Sequence, residues 1–192
     1  MKKILKVGLP VFVILVIILQ FFGPKAENPS EDQKVTLFQV SVTPPDVQKV
    51  LKESCYDCHS NTTVYPWYAS VAPVSWLVIN HINDGRKHLN FSEWGSYPLK
   101  KQIHKLEETI EMVNNGEMPL SSYVLLHGGA ELDQTEKDLL LNWSKQTMAD
   151  LQSQQTNTGN QVPETGKTGE VREKDEHGED AHGEGDGKKK SK

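Results

Sequence analysis

The segment Cys55-Tyr56-Asp57-Cys58-His59 constrains this chain more than any other feature. On a helical turn, positions three and four apart share one face. Two thiols and an imidazole are therefore presented together. A C-x-x-C-H pentapeptide is the attachment pattern of a covalently held haem. Cys55 and Cys58 can reach the two vinyl groups on one porphyrin edge, and each thiol leaves a thioether link. His59 then binds the iron from the same face. Competing chemistries fit less well. A thioredoxin-like cysteine pair wants a βαβ setting, which is missing. Structural zinc needs four ligands, and the next pair, His81 and His88, is too widely spaced. A disulfide across two intervening residues would be strained.

Charge removes other classes. The 192 residues carry a net charge of −5. Residues 1–26 hold four Lys and no acid; residues 27–150 hold ten Lys/Arg against seventeen Asp/Glu. A basic start joined to an acidic body is the wrong electrostatics for a nucleic-acid binder. No Gly-rich phosphate loop is present, which argues against a nucleotide enzyme.

The chain divides into four regions. Residues 1–23 place Lys2, Lys3 and Lys6 before an apolar run, the pattern of a signal peptide or signal anchor. Ile4 to Gly23 is twenty residues, near the roughly 20 needed to span a bilayer. No clean small-x-small cleavage site follows, so an uncleaved transmembrane helix is expected. The positive-inside rule then puts the rest of the chain outside the cytoplasmic membrane of a bacterium. Residues 24–42 are expected to form a short extended linker. Residues 151–192 have almost no large apolar side chains and are expected to be disordered. His177 and His182 lie in that tail, where solvation is the simpler reading than metal binding.

Residues 43–150 should be the folded domain, all-α. Thr43-Pro44-Pro45-Asp46 signals a helix start, with Thr as cap and Pro in the first turn. A second helix is expected over Val74 to Asp84, stopped by Gly85. A third, Pro98 to Asn114, carries Leu99, Ile103, Leu106, Ile110 and Val113 at spacings of three and four. A fourth starts at Asp133-Gln-Thr-Glu136, a capping-box pattern with Asp in the Ser/Thr position.

Haem iron accepts Met or His as its other axial ligand. Met118, in Gly116-Glu117-Met118-Pro119, is the favoured distal ligand, with Pro119 fixing the backbone beside it. His81 is the main rival; His88, His104 and His127 are others, and Met118 as plain core packing is the bland reading. Three of the four tryptophans, Trp67, Trp76 and Trp94, fall within 28 residues. Together with Pro119 they would wall a haem pocket and keep water from the iron. Taken singly, each is also an ordinary core aromatic. Arg86 and His88 are candidate propionate partners, with solvated loop charges the alternative.

Residues 43–147 resemble the small bacterial haem-binding domain family, itself similar to class I cytochromes c. The matching stretches are Cys55-Tyr-Asp-Cys-His-Ser-Asn61, Tyr65-Pro-Trp-Tyr68, Ala72-Pro-Val-Ser-Trp76, Arg86-Lys-His-Leu-Asn-Phe-Ser-Glu-Trp94, Gly116-Glu-Met-Pro119 and the final helix near Trp143. The resemblance implies one covalent haem c, His59 as proximal ligand, Met118 as distal ligand and a cytochrome c-like helical fold. There is no second C-x-x-C-H, so a self-contained di-haem peroxidase is not expected.

Two functions compete at this level. One is a membrane-anchored, single-haem electron carrier, not an enzyme, that serves redox partner proteins of the cell envelope. Its acidic body would favour a basic face on such a partner. The other is a haem enzyme or sensor, peroxidase-like or gas-binding, with an open distal iron site. The presence of Met118 favours the first.

Overall fold

A computed structural model describes residues 2–159 of the chain. The two tail histidines, His177 and His182, lie outside the described residues. Eight α-helices occur among those residues: α1 Lys2–Leu19, α2 Leu37–Val40, α3 Pro45–Ser54, α4 Tyr56–His59, α5 Val74–His88, α6 Leu99–Asn114, α7 Ser121–Leu126 and α8 Gln134–Gly159. Short 3-10 turns join them, and no strand is present among the described residues. The expectation of an all-α chain holds.

The expected transmembrane helix does not. No helix among the described residues is long and apolar enough to cross a membrane. The physical reason lies in α1 itself. Lys2, Lys3 and Lys6 occupy its first turns and leave only residues 7–19 of its 18 residues without charge, fewer than the roughly 17–25 that span a bilayer. Past Leu19 the chain tightens into a 3-10 turn, Gln20–Phe22.

The segment 24–42 is no free linker. Asn28 Nδ2 donates to Thr63 O at 3.0 Å, and Asn61 Nδ2 donates to Ser30 O at 3.1 Å. Tyr65 Oη donates to Glu27 O at 2.8 Å. Beyond this pinned stretch comes a 3-10 turn, Gln33–Val35, and then α2, whose Leu37 is completely buried in the core. Nothing local in 24–42 announces this, because the partners of Asn28, Ser30 and Glu27 are all more than thirty residues away.

α3 starts as the proline pattern requires, with Pro45 in its first turn, but Pro44 is the cap residue and Thr43 Oγ1 donates to Ser41 O instead. Val47, Val50 and Leu51 face inward. α6 buries Ile103, Leu106 and Val113, with Ile110 packed against the core, so its three-four spacing marks the inward face. α8 opens on a closed capping box: Glu136 N donates to Asp133 Oδ1 at 2.8 Å, and Asp133 N donates to Glu136 Oε2 at 3.2 Å. Its helix continues to Gly159, so residues 151–159 are helical where disorder was expected. α6 and α8 form the most extensive helix pair, and α3 packs across α8. Leu51, Trp94, Leu106, Leu140 and Trp143 meet in the core between them.

Candidate functional site

Cys55 separates α3 from α4. Its backbone (φ −128°, ψ −39°) is not helical, so the chain turns there and restarts as the four-residue α4. Within that turn His59 N donates to Cys55 O at 2.9 Å and Cys58 N to the same oxygen at 3.2 Å. Cys55, Cys58 and His59 all line one cavity of about 310 Å³. That volume lies at the lower end of the range of ligand pockets.

α5 supplies the support behind His59. Gly85 was expected to stop this helix, yet α5 runs through it to His88. Its role is close approach. A Cβ at Gly85 would lie 2.5 Å from Cys58 O and 3.0 Å from Cys58 Cβ. Without a side chain, α5 sits directly on the C-x-x-C-H turn. The His59 Nδ1 atom is then 3.0 Å from Gly85 O and 3.0 Å from Leu89 O. Both carbonyls only accept, so Nδ1 carries the proton. Burial lowers the His59 pKa from its ordinary value, and the two carbonyls oppose this only in part. A neutral ring with Nδ1 protonated leaves an Nε2 lone pair free to bind metal.

Both thiols are held protonated. Burial, reinforced by the neighbouring Cys58, pushes the Cys55 thiol up to about 12. Burial and then Asp57 push Cys58 up to about 11, against Arg86.

The remaining wall of the cavity comes from α6 and the loop after it. Met112, Val113, Met118, Pro119 and Leu120 line it, as do Phe91 and Tyr123. Met118 therefore shares a cavity with His59, as does its rival His81. His88 also lines it. Among the described residues the other two histidines lie elsewhere. His104 is exposed and pairs with Glu107 and with Glu108, itself a lining residue of the cavity. His127 borders a second pocket, where Tyr68 Oη lies 3.3 Å from its Nε2.

The tryptophans are a correction. None of Trp67, Trp76 and Trp94 lines the cavity; of the four expected wall residues only Pro119 does. Trp67 is 80% exposed. Trp94 is 2% exposed and belongs to the helix core, edge-on to Tyr97 at 6.0 Å. Trp76 faces the end of α1, where its Nε1 would be 3.1 Å from a Cβ at Gly23. Clustering in sequence did not bring them together, because the turn 67–70, α5 and the turn 91–96 face in different directions. The cavity wall instead combines leucine, valine and methionine side chains with His81, Asp84, His88, Lys105 and Glu108.

Arg86 is a second correction. Its Nε donates to Ser60 O at 2.7 Å, and its Nη2 donates to Asn28 Oδ1 at 2.7 Å and Thr63 Oγ1 at 2.8 Å. The guanidinium is spent on holding three segments together and does not line the cavity.

Three participants were missed by sequence reasoning. Gly85 was misassigned as a stop, although a glycine 26 positions after a haem-type histidine carries no recognisable signal. Met112, in the last turn of α6, lines the cavity six residues before Met118. Tyr123 Oη donates to Asp57 Oδ2 at 2.7 Å, which ties α7 to the interior of the C-x-x-C-H turn. Asp57 occupies a variable position of the motif, so only its contact reveals its role.

Residues 14–146 match the haem-binding domain family. The chain belongs to this family. No curated protein and no solved structure matches it. The residues present fit a haem: two half-buried thiols, a neutral imidazole with one nitrogen free, and a methionine thioether surround a largely apolar cavity.

Proposed function

We propose that this protein is a single-haem c-type cytochrome of class I type that carries electrons outside the bacterial cytoplasmic membrane, held at that membrane by its N-terminal segment. The observation that carries this is the meeting of Cys55, Cys58, His59 and Met118 on one cavity, with His59 Nδ1 fixed by two carbonyls. Bound there, haem supplies one-electron exchange. Cys55 and Cys58 hold it by thioether links, so it stays bound in both oxidation states. His59 donates its Nε2 lone pair, and the Gly85 and Leu89 carbonyls keep the ring from turning. Met118 would hold the iron opposite His59's side of the cavity as a second protein ligand, and a Met/His pair would raise the potential above that of a two-histidine site. Met112 and Val113 of α6, with Leu120 and Leu132, would shield the iron, while Lys105, Glu108 and Thr109 form the polar part of the α6 wall. The acidic body, −7 over residues 27–150, steers a basic redox partner, with an association rate that falls as salt rises.

The test is the optical spectrum of protein exported in a host competent for cytochrome maturation. Wild type should be low-spin, with a methionine–iron charge-transfer band that disappears in Met118→Ala and persists in His81→Ala. Haem should stay with the chain on a denaturing gel, and a double Cys55→Ala, Cys58→Ala variant should lose it. Colourless wild-type protein would sink the proposal. High-spin iron that reacts with peroxide would replace the carrier by an open-site haem enzyme or sensor.

A further inference from the structure

Between Val64 and Asn80 the chain has no charged residue and no histidine, although charged residues make up 24% of the sequence. In the fold this stretch is not hidden. Trp67 is 80% exposed, Val64 76% and Leu77 59%. Val71 and Val74 are exposed as well, as is Leu126 of α7. Val64, Tyr68, Val74, Leu77 and Leu126 border one pocket of about 120 Å³, and Trp67 joins it by meeting Tyr68 edge-on at 5.8 Å. An exposed apolar patch of this kind marks an interaction surface.

α1 ends on this same edge. Gln20 mimics a backbone partner for Ala72: Ala72 N donates to Gln20 Oε1 at 2.9 Å, and Gln20 Nε2 lies 3.4 Å from Ala72 O. Gly23 then packs against Trp76. From Val7 to Phe22 the large apolar side chains of α1 and its terminal turn stand open to the surroundings, Phe21 and Phe22 most of all. A helix that is apolar on every side needs an apolar environment on every side. A groove on another protein would cover one face only.

We propose that the edge Trp67–Leu77 is a lipid-facing surface. It lies in the interfacial layer of a bilayer while α1 enters the apolar layer beside it, and the Gln20–Ala72 pair fixes the orientation of the domain. Trp67, Tyr65 and Tyr68 are the residue types that settle at that depth. On a zwitterionic surface such as phosphatidylcholine the attachment rests on apolar contact and is insensitive to salt. This inference rests on the membrane association proposed above and adds which face meets the lipid.

The experiment uses the haem-loaded full chain and vesicles of phosphatidylcholine. Nitroxide labels are placed on Trp67→Cys and Leu77→Cys, with Gln146→Cys as control on α8, which packs on α6 rather than α5. The native thiols are consumed as thioethers and do not react. On adding vesicles, collision of the first two labels with an aqueous nickel chelate should fall several-fold and collision with lipid-dissolved oxygen should rise, at low and high salt alike. The control label should not change. A chain that binds vesicles while the labels on Trp67→Cys and Leu77→Cys stay aqueous overturns the lipid-facing surface and leaves membrane association standing. A chain that does not bind vesicles overturns both. As a second measure, Trp67→Ser with Leu77→Ser should weaken vesicle partition about tenfold with an unchanged haem spectrum. Unchanged partition counts against the proposal.

Discussion

The carbonyl oxygen of Cys58 occupies the space where a side chain of Gly85 would begin, 2.5 Å from the position of a Cβ. Gly85→Ala therefore sets two effects against each other. Alanine favours a helix interior over glycine by about 1 kcal/mol. The contact with a backbone oxygen, which cannot swing aside, forces α5 away from α4 at a cost of about 1–3 kcal/mol. The clash should win, because moving α5 also lengthens both hydrogen bonds to His59 Nδ1. A lower denaturant midpoint together with an altered low-spin spectrum is the expected outcome. A more stable variant with an unchanged spectrum would show that the approach is looser than described.

The closed capping box at the start of α8 should be measurable by itself. Asp133→Ala removes the acceptor of Glu136 N. The loss should be about 1 kcal/mol, read as a shift in urea midpoint without a change in slope. Asp133→Ser should retain most of the stability.

Trp67 and Trp94 should differ sharply. Trp94→Ala empties a buried site in the core and should cost about 3–5 kcal/mol. Trp67→Ala, at a position 80% exposed, should change stability in water by less than about 0.5 kcal/mol. Thermal denaturation of the two variants checks this directly. Equal losses would mean that Trp67 packs against the domain.

In the haem-free chain the half-buried thiols give a pH dependence. Cys55 and Cys58 are raised from an ordinary value of 9.0 to about 12 and about 11. Above pH 9 the unfolded chain releases these protons while the folded chain keeps them. Stability is thus fully present below about pH 9 and is lost as pH rises toward 11 and 12. Each thiol contributes a slope of at most about 1.4 kcal/mol per pH unit. Urea midpoints of the haem-free chain should fall between pH 9 and 10, and more steeply than in Cys55→Ser with Cys58→Ser. Equal slopes would show that the thiols already ionise freely in the fold.

Features set by neighbours in sequence were legible in advance. The inward stripe of α6 follows from Ile103, Leu106 and Val113 at helical spacing. The start of α8 follows from Asp133 and Glu136, three positions apart. Cys55, Cys58 and His59 declare their chemistry within five residues. What escaped depends on distant partners. The burial of Leu37, the clamping of Asn28 and the contact between Tyr123 and Asp57 each join segments far apart along the chain. Aromatic density between Trp67 and Trp94 was misleading for the same reason: composition records which side chains are near in sequence and not which way each turn of backbone directs them.

Arg86 links the carbonyl of Ser60, one residue past His59, with Asn28 and Thr63. One guanidinium thus acts as a strut between the stretch leading out of α1 and the turn that carries His59. Any force on the N-terminal segment is delivered to that turn with little slack. A version trimmed at residue 43 to improve solubility would lose this brace along with its apolar leader, so a cut that spares the metal site has to fall before Glu27.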